Sequence, residues 1–489
     1  MHFHIAYHAY LERYPTKLLA LYHALHDGVT GGVLAYGLRL PSTRELAGLY
    51  GLSRGTVNQV YEMLASEGYL QCRTGSGTYV AFRKEEQGGA GAARPEASYR
   101  LSNWGERLES ASPRGRMVPR LAVDFDCFAP DLDAFPREAW NRCLYAAVRE
   151  LTASGAGRGE CPPQGYGPLR EGIARYLRRA RGIAVEAEHI AVTGGSMQAL
   201  ALLAQLLVEP GEPAVAETPG YAGIRRAIRA AGGRCIDAEV DAQGIVPADW
   251  EARALFVTPT RQFPTGAVLS LERRQALLRW AYECEAVIVE DDYDSEFRHR
   301  GKSLEPLKTL DRKERVVYVG SFTKTLLPDV RIGYAVLPPS LVQPFVRAQV
   351  LYEPHPANLL EQKALAAFMA SGEYERHLRR MKRIYSRKFG SFMQMLTSEL
   401  SDRFRFVESD AGLHIFGWWL GTESEYLDYR AACEARGVRW SEARVETEAG
   451  VKYGACFNFP HLSEEQLRQG VERMSLKTLG LTESSYNSI

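Results

Sequence analysis

The sequence predicts an α/β chain of 489 residues, in which a small helical domain, a linker and a large domain with a mostly parallel sheet follow one another. Three observations support this. Two short helix patterns come first, a stretch near residue 90 has no large apolar side chains, and short apolar runs then alternate with helix patterns. The hydrophobic fraction of 45% and the charged fraction of 24% are ordinary for globular proteins, which argues against a disordered or fibrous chain.

Composition also limits the cellular setting. A net charge of +1 gives no whole-chain attraction to nucleic acid or to an acidic membrane. The eight cysteines form no CxxC pair, which favours reduced thiols over a disulfide scaffold or a cysteine-based zinc site. The N-terminus lacks the pattern of a secretory signal, and the most apolar stretches, such as 199–208, are about half as long as a membrane span. We therefore expect a soluble, cytoplasmic protein with no membrane partner.

The domain boundaries follow from the composition shift. Residues 83–95 contain no large apolar side chain, so they cannot contribute to a core, and a surface loop of that length inside one domain would be unusual. We predict an N-terminal domain over 1–82, a flexible linker over 83–120 and a large domain over 121–489.

The N-terminal domain has the pattern of a helix-turn-helix. Ser42 and Glu45 form a capping box at the start of one helix, and Gly51 suits the left-handed residue that ends it. Ser53 can cap a second helix two residues later. One face of this second helix is apolar, with Val57, Val60, Tyr61 and Leu64. Residues 69–80 then predict two strands around a glycine turn, the form of a β-wing.

Two interpretations of this domain are equally open on the pattern alone. The second helix begins with polar side chains that could enter a DNA groove, and Arg73 lies in the wing. However, residues 1–82 hold six Lys or Arg against five Asp or Glu, which also fits a plain helical hairpin. The segment LPSTRELAGLYGLSRGTVNQVYEMLASEGYLQCRTGSGTYV resembles the DNA-binding domain of GntR-type bacterial regulators throughout its length. The resemblance implies operator DNA as a partner, and the candidate contacts are Arg44, Ser53, Arg54, Thr56, Gln59, Arg73, Gly75, Ser76 and Gly77.

The large domain shows the alternation of an α/β sheet. Six short apolar runs predict buried strands, and helix patterns such as 196–208 and 271–283 separate several of them. The predicted strands are 189–193, 213–217, 254–258, 286–290, 315–319 and 333–337. Longer helices from about residue 360 (361–370 and 374–398) and then mixed elements predict a smaller C-terminal subdomain.

Four separated segments of this domain carry the chemistry. Residues 193–200 form a strand end, a glycine turn and a helix start, which can bind phosphate through exposed amides and the helix dipole. A carboxylate cluster follows one strand at 290–296, and a Pro/Gly loop follows another at 258–266. Lys324 comes just after a third strand, with Ser321 and Thr323 before it and Arg331 after it.

Pyridoxal 5'-phosphate explains these segments together. This cofactor needs an amine for its aldehyde, a carboxylate for its ring nitrogen and donors for its phosphate. The carboxylate cluster could instead bind a divalent metal, but the other segments supply no further metal ligands, so we expect no metal.

From about residue 121 to 475 the domain resembles fold-type I aminotransferases. The segments PPQGYGPLREGIARYLRRARGI, TGGSMQALALLAQLL, TPTRQFPTGAVLSLERR, EDDYDSEFR and YVGSFTKTLLPDVRIGY resemble MocR/GabR-type regulators, which join a GntR-type domain to an aminotransferase-like domain. The resemblance implies that Lys324 forms the internal aldimine, that Asp291 pairs with the ring nitrogen and that Tyr293 lies near the ring phenolate. It further implies a set of phosphate and ring contacts, namely Ser196, Met197, Ser321, Thr323, Arg331 and the stacking residue Tyr221. The alternative for Tyr221 is an ordinary half-buried tyrosine in a turn.

The sequence departs from the family pattern in three places. Arg261 stands where members often carry histidine, and Pro328-Asp329 replaces the usual Pro-Gly or Pro-Ala pair. The arginine that usually receives the substrate carboxylate has only Arg444 as a match, in a poorly matching segment. Arg444 and Arg261 are therefore the candidate effector contacts, and the effector class remains an amine, an amino acid or a vitamin B6 compound.

Two functions follow from the resemblance. The chain is either a homodimeric transcriptional regulator that senses an amine by aldimine exchange at Lys324, or an active aminotransferase with an accessory DNA-binding domain. Lys324 and Asp291 supply the machinery for a transamination half-reaction, so residual activity is compatible with both. A fused DNA-binding domain and the poorly matched Arg444 favour the regulator.

Overall fold

The computed structural model describes residues 3–83, 99–111, 121–153, 161–301, 303–447 and 450–475. Its contacts divide the chain into two compact units, residues 1–99 and residues 100–489. Positions 84–98 and 112–120 of the predicted linker lie outside the described residues.

The first unit is a winged helix. Its helices are α1 (Tyr7–Leu11), α2 (Lys17–Thr30), α3 (Thr43–Tyr50) and α4 (Arg54–Ser66), and its strands are β1 (Leu70–Arg73) and β2 (Gly77–Val80). The capping box of Ser42 and Glu45 is present, and Gly51 ends α3 with φ 63°. The predicted apolar face of α4 is fully buried in the core of this unit. The two strands pair antiparallel, from Leu70 opposite Val80 to Arg73 opposite Gly77.

The second unit contains a long series of helices and strands. Its helices are α5 (Asn103–Ala111), α6 (Arg137–Thr152), α7 (Gly167–Arg181), α8 (Ser196–Leu207), α9 (Ala222–Ala231), α10 (Leu271–Glu283), α11 (Leu307–Leu310), α12 (Pro339–Tyr352), α13 (Leu359–Ala370), α14 (Glu373–Leu400), α15 (Glu423–Ala435) and α16 (Glu464–Met474). Its strands are β3 (Val123–Phe125), β4 (Ile190–Thr193), β5 (Pro213–Thr218), β6 (Arg234–Asp241), β7 (Gly244–Ile245), β8 (Ala254–Val257), β9 (Val287–Asp292), β10 (Val316–Ser321), β11 (Gly333–Val336), β12 (Phe404–Phe406), β13 (His414–Trp419), β14 (Val438–Thr447) and β15 (Gly450–Asn458).

An eight-stranded sheet with the order β4-β11-β10-β9-β8-β5-β6-β7 forms the centre of this unit. All six strands predicted from the apolar runs belong to it. The neighbours from β10 through β9, β8 and β5 to β6 pair in parallel, whereas β11 pairs antiparallel with both β10 and β4. The reversed direction of β11 is not visible in its apolar run, because a buried strand reads the same in either direction.

A smaller five-stranded sheet with the order β12-β13-β15-β14-β3 forms the C-terminal subdomain. Its apolar core includes Phe392 and Leu396 of the long helix α14. Strand β3 comes from near residue 124 and pairs in parallel with β14, so the start of the domain completes the sheet at its end.

Helix α5 lies inside the segment predicted as a flexible linker. It packs against α9, and the Arg107 Nε donates a hydrogen bond of 3.3 Å to the carbonyl of Ala230. Most of its side chains are exposed, so α5 has no continuous apolar face that would have predicted a packed helix from the sequence. In the part of the chain that the structure describes, no helix is long and apolar enough to cross a membrane.

Candidate cofactor site and DNA interface

The predicted site segments meet at one edge of the large sheet. Strands β4, β5, β8, β9 and β10 run in the same direction, so the segments that follow them leave the sheet at the same edge. At one end of the sheet, Ser321 of β10 pairs with Gly333 of β11, and Gly333 in turn pairs with Thr193 of β4. Three segments that are far apart in sequence thus become neighbours.

The first feature of this edge is a potential phosphate site at the start of α8. Gly195 precedes the helix with φ 106°, and a side chain on Gly333 would lie 2.7 Å from the Ser196 nitrogen, so both positions require glycine. The guanidinium of Arg331 lies against Gly195, where an added Cβ would come within 2.9 Å of its Nη2. The free amides of the first turn of α8, at Ser196 and Met197, thus share the site with a cation.

Two hydroxyl groups complete this anion site. The Ser321 Oγ donates to the Thr323 Oγ1 at 3.0 Å and accepts from the Thr323 backbone N–H at 3.1 Å. Because Ser321 neighbours Gly333 in the sheet, these hydroxyls lie close to the start of α8. The structure therefore brings together the predicted phosphate contacts.

Asp291 is a buried carboxylate with unused hydrogen-bonding capacity. Its side chain is 6% exposed, and its Oδ1 has no hydrogen-bond partner among the described residues. Burial, together with the nearby Asp292 and Asp294, raises the pKa of Asp291 to about 7. Such a group calls for a positively charged partner, because an unpaired buried charge is costly. A protonated ring nitrogen would supply one.

Its two acidic neighbours are already paired. Asp292 contacts the buried guanidinium of Arg181 at 2.6 Å and accepts from the Tyr318 hydroxyl at 2.6 Å. Asp294 pairs with the buried Arg261 at 2.9 Å. Among the described residues, no group of three or more His, Cys, Asp or Glu side chains could hold a metal ion.

Lys324 lies at the same edge, where its side chain is half-buried. The Nζ donates to the carbonyl of Phe128 at 2.9 Å and lies 4.5 Å from the centre of the Phe128 ring. Burial lowers the pKa of Lys324 to about 8, and the negative charge of Asp294 opposes this shift. A substantial fraction of the amine is therefore neutral, and nucleophilic, at pH values near 8.

Tyr293 and Arg261 belong to one buried network. The Arg261 Nη1 donates to the Tyr293 hydroxyl at 3.0 Å and contacts the His414 Nδ1 at 3.1 Å, and Nη2 donates to the His414 carbonyl at 2.9 Å. Because arginine only donates, Nδ1 of His414 accepts, and its Nε2 carries the proton that it donates to the Pro264 carbonyl at 2.8 Å. Likewise, the Tyr293 oxygen accepts from Arg261, so its own proton is directed elsewhere. Burial is the main cause that places the pKa of Tyr293 well above its ordinary value.

A cavity of about 1280 Å³ opens beside these groups. Tyr221, Phe263 and Arg444 are among its lining residues, and the rings of Tyr221 and Phe263 meet edge to face at 6.0 Å. Arg444 is exposed and pairs with Glu446 at 3.2 Å. Arg261, by contrast, is 4% exposed, and its guanidinium is engaged by Tyr293, Asp294 and His414. This engagement argues against Arg261 as a direct effector contact.

Some residues of the site were not predicted from the sequence. Phe128 contacts Lys324, whereas His414 and Asp294 contact Arg261. They come from a loop near the domain start, from the C-terminal sheet and from the carboxylate cluster, respectively. The first two carry no motif, since a lone phenylalanine or histidine in an apolar segment is usually a core residue. Their roles depend on the folded neighbourhood.

The donor set fits pyridoxal phosphate. A cation, two hydroxyls and a helix start can hold the phosphate, and the unpaired Asp291 can meet the ring nitrogen. The amine of Lys324 follows β10 at the same edge of the sheet, three residues after Ser321. Each chemical requirement of the cofactor thus has a matching group at this edge of the sheet.

The first unit presents its predicted DNA contacts at the surface. Arg44, Arg54, Gln59 and the wing tip Gly75–Gly77 are exposed. The Ser53 Oγ caps α4 by accepting from the Thr56 N–H at 3.0 Å, so these two hydroxyls shape the helix start. The Arg73 guanidinium lies 5.0 Å from the centre of the Tyr79 ring in the wing.

Arg39 is a further candidate that sequence reasoning missed. Arg39 forms an isolated antiparallel β-bridge with Tyr79 of β2. Its Nε would lie 3.0 Å from a Cβ added at Gly77. Its exposed guanidinium thus lies at the wing tip. Only the fold shows this, because Arg39 precedes the helix-turn-helix motif by several residues.

Comparisons with family models agree with this two-part organisation. Residues 18–80 match the model "Bacterial regulatory proteins, gntR family", and residues 136–452 match the model "Aminotransferase class I and II".

Individual relatives extend the similarity over almost the whole chain. The probable rhizopine catabolism regulatory protein MocR of Rhizobium meliloti is 35% identical over 95% of this chain and 94% of its own length. The pyridoxine biosynthesis transcriptional regulator PdxR of Corynebacterium glutamicum is 34% identical over 76% of each chain. Among solved structures, the α-aminoadipate aminotransferase LysN of Thermus thermophilus, complexed with N-(5'-phosphopyridoxyl)-L-leucine, superposes with a TM-score of 0.66 at 25% identity, covering 78% of this chain and 97% of its own.

We expect Asp291→Asn to have opposite effects on the cofactor-free and loaded forms. In the cofactor-free wild type, the folded-state pKa of about 7 exceeds the ordinary 3.8, so the stability contribution of Asp291 falls as pH rises between these values. Asparagine removes this loss, and above pH 7 the variant should be the more stable by up to about 4 kcal/mol. Its affinity for pyridoxal phosphate should fall. Thermal unfolding at pH 5 and pH 8, with and without cofactor, tests both signs; equal unfolding curves for both proteins at pH 8 would contradict the prediction.

Arg261→Gln should destabilise the large domain by about 3–5 kcal/mol, because it leaves the Asp294 carboxylate buried without its partner. Adding Asp294→Asn should recover part of this loss, since the remaining group is neutral. Denaturant unfolding of the single and double variants measures the coupling, with the exposed Arg347→Gln as control. Strict additivity of the two substitutions would contradict a direct pair.

Arg54→Ala should weaken DNA binding and lower the slope of log K against log salt by about 1, if its guanidinium contacts a phosphate. Arg39→Ala should act in the same way at the wing. The measurement uses the full chain and a duplex that it selects from a random pool. The exposed Arg13, which lies outside the motif and the wing, provides the control variant Arg13→Ala. Unchanged slopes for both arginines would exclude them from the phosphate contacts.

Proposed function

This chain belongs to the MocR-type transcriptional regulators, which join a GntR-type DNA-binding domain to a pyridoxal-phosphate-dependent aminotransferase-like domain, and we propose that its cofactor site senses a primary amine. In this proposal, arrival of the amine frees Lys324, and the change at the site alters the affinity of the N-terminal domain for operator DNA. The ligand acts only through its different affinity for the two states of the regulator.

The observation that carries the proposal is the environment of Lys324. Its pKa of about 8 lets the amine exist uncharged, and the Phe128 carbonyl can accept its N–H once it is free. Pyridoxal phosphate supplies an aldehyde carbon that reacts reversibly with primary amines. Lys324 is nucleophilic when uncharged, and it has a hydrogen-bond acceptor when it is not bonded to the cofactor. Both properties suit an exchange of amines at this position.

We assign the remaining residues as follows. Asp291 would hold the ring nitrogen in its protonated form, and Tyr293 would direct its hydroxyl proton to the ring oxygen. Tyr221 would cover one face of the ring. The phosphate would be held by Ser196, Met197, Ser321, Thr323 and Arg331. The proximity of these groups at one sheet edge supports the assignment.

The effector is proposed to be an amine with an acidic or polar group that reaches Arg444 in the cavity of about 1280 Å³. Amino acids and vitamin B6 compounds belong to this class. The name of the PdxR relative, which refers to pyridoxine biosynthesis, supports including the vitamin. Arg261 acts through Tyr293 instead of meeting the effector, because both of its terminal nitrogens are engaged within the protein.

The regulator is further proposed to work as a homodimer on a two-part operator in the cytoplasm. Helix α6 exposes Tyr145, Val148 and Leu151, and α12 exposes Leu351 and Tyr352. Apolar side chains grouped on helices in this way favour an interface between copies.

Lys324→Ala tests the proposal. The variant should bind pyridoxal phosphate without a borohydride-stable bond and should lose the response of DNA affinity to primary amines, while Lys313→Ala, at an exposed position, should behave as wild type. In wild type, attachment of the cofactor should speed up as pH rises through about 8, because the neutral amine reacts. A full amine response in Lys324→Ala would refute amine exchange, and many turnovers of keto acid by wild type would favour the aminotransferase instead.

A further inference from the structure

Helix α9 reaches from the cofactor cavity to the helix that lies in the linker. Its first turn is preceded by Tyr221, and Arg225 in its second turn also lines the cavity. Its last turn contacts α5. A helix of 10 residues is about 15 Å long, so α9 spans the distance between the two places as a single element.

The cavity end of α9 is held firmly. A Cβ on Gly223 would lie 2.4 Å from the Tyr221 ring and 2.5 Å from the Met197 sulfur, so the ring and the start of α8 pack directly on the first turn. The Arg225 Nη2 donates to the Glu217 carbonyl at 2.8 Å. A ligand that displaces the Tyr221 ring would therefore push on the first turn of α9, because the ring packs directly on the backbone at Gly223.

The middle of α9 would move as one unit, because its apolar face is packed into the core. Ile224, Ala227 and Ile228 are buried in the core that α8 and the central strands share. Packed cores shift between discrete arrangements and do not deform continuously.

The far end of α9 depends on α5 for one of its hydrogen bonds. The carbonyls of Ile228 and Arg229 accept from the N–H groups of Gly233 and Gly232, both at 2.9 Å. The carbonyl of Ala230 accepts from the Arg107 side chain of α5. A guanidinium at this position is also favoured by the negative end of the helix dipole.

Helix α5 has few other anchors. Gly105, Arg107 and Leu108 are only half-buried, and Trp104 is 46% exposed beside a cavity of about 530 Å³ that Pro210, Ala231 and Tyr352 also line. Because α5 buries little of its surface, separating it from α9 should require little free energy, as a conformational switch needs. The chain that leads to the DNA-binding unit leaves from the start of this helix.

We propose that the end of α9 is a docking surface for α5, and that the contact of Arg107 with Ala230 carries the state of the cofactor cavity to the DNA-binding unit. This inference rests on the proposed function, since it assigns the route by which that site controls DNA binding.

The test compares two defined loaded forms of the full chain. Pyridoxal 5'-phosphate can bond to Lys324, whereas pyridoxamine 5'-phosphate has no aldehyde and leaves the lysine free. The measured quantity is the ratio of the DNA Kd values of the two forms, on a duplex that the wild type selects from a random pool. Wild type should show a ratio of about fivefold or more, in the usual range of allosteric coupling.

Arg107→Gln should bring this ratio close to 1 while leaving the affinity for both cofactors unchanged. Arg229→Gln removes the same charge from the exposed face of the last turn of α9 and should keep the wild-type ratio. The fluorescence contribution of Trp104, obtained by difference with Trp104→Phe, should change between the loaded forms in wild type and stay constant in Arg107→Gln.

A wild-type ratio in Arg107→Gln would overturn the inference, even if the variant unfolds at a lower temperature, because a purely structural cap would change stability and leave the coupling intact. A ratio of 1 in wild type itself would instead refute the proposed function. The two failures are therefore distinguishable.

Discussion

The cofactor site depends on the direction and register of five strands. Because β4, β5, β8, β9 and β10 all end at one edge of the sheet, a helix start, a stacking ring, a loop, a carboxylate and an amine leave the sheet together. The antiparallel strand β11 also shapes the site, because Gly333 lies between Ser321 and Thr193 in the sheet. Its lack of a side chain leaves room for the backbone at Ser196. A slip of this register would separate the anion site from Lys324.

The buried acidic residues at this edge of the sheet differ in whether they have a charged partner within the protein. Asp292 and Asp294 each have an arginine partner at short distance, so their charges are compensated inside the protein. Asp291, which directly precedes Asp292 in the chain, has no hydrogen-bond partner for its Oδ1 among the described residues, and burial raises its pKa to about 7. The cost of this arrangement is an unfavourable buried group in the cofactor-free protein, and binding of a cation relieves it. Stability and ligand affinity are therefore linked at this residue.

Helix α9 begins at this edge of the sheet and contacts α5, a helix within the predicted linker. Tyr221 and Arg225 place α9 at the cavity, and the carbonyl of Ala230 receives Arg107 from α5. Residues 83–95, which precede α5, contain no large apolar side chain, and the predicted linker was extended from them to residue 120. A helix can form in such a segment when a neighbouring surface supplies the few contacts that it needs.

The sequence by itself determined the two domains, the helix-turn-helix with its caps and the six central strands. These features are local: capping boxes, glycine turns and apolar runs depend on residues close together in the chain. Only the tertiary structure decided that β11 runs antiparallel, that Arg261 is bound by Tyr293, Asp294 and His414, that Phe128 meets Lys324, and that Arg39 lies at the wing. These relations join residues that are far apart in sequence, and a side chain's partners and burial are set by the packing of the whole fold.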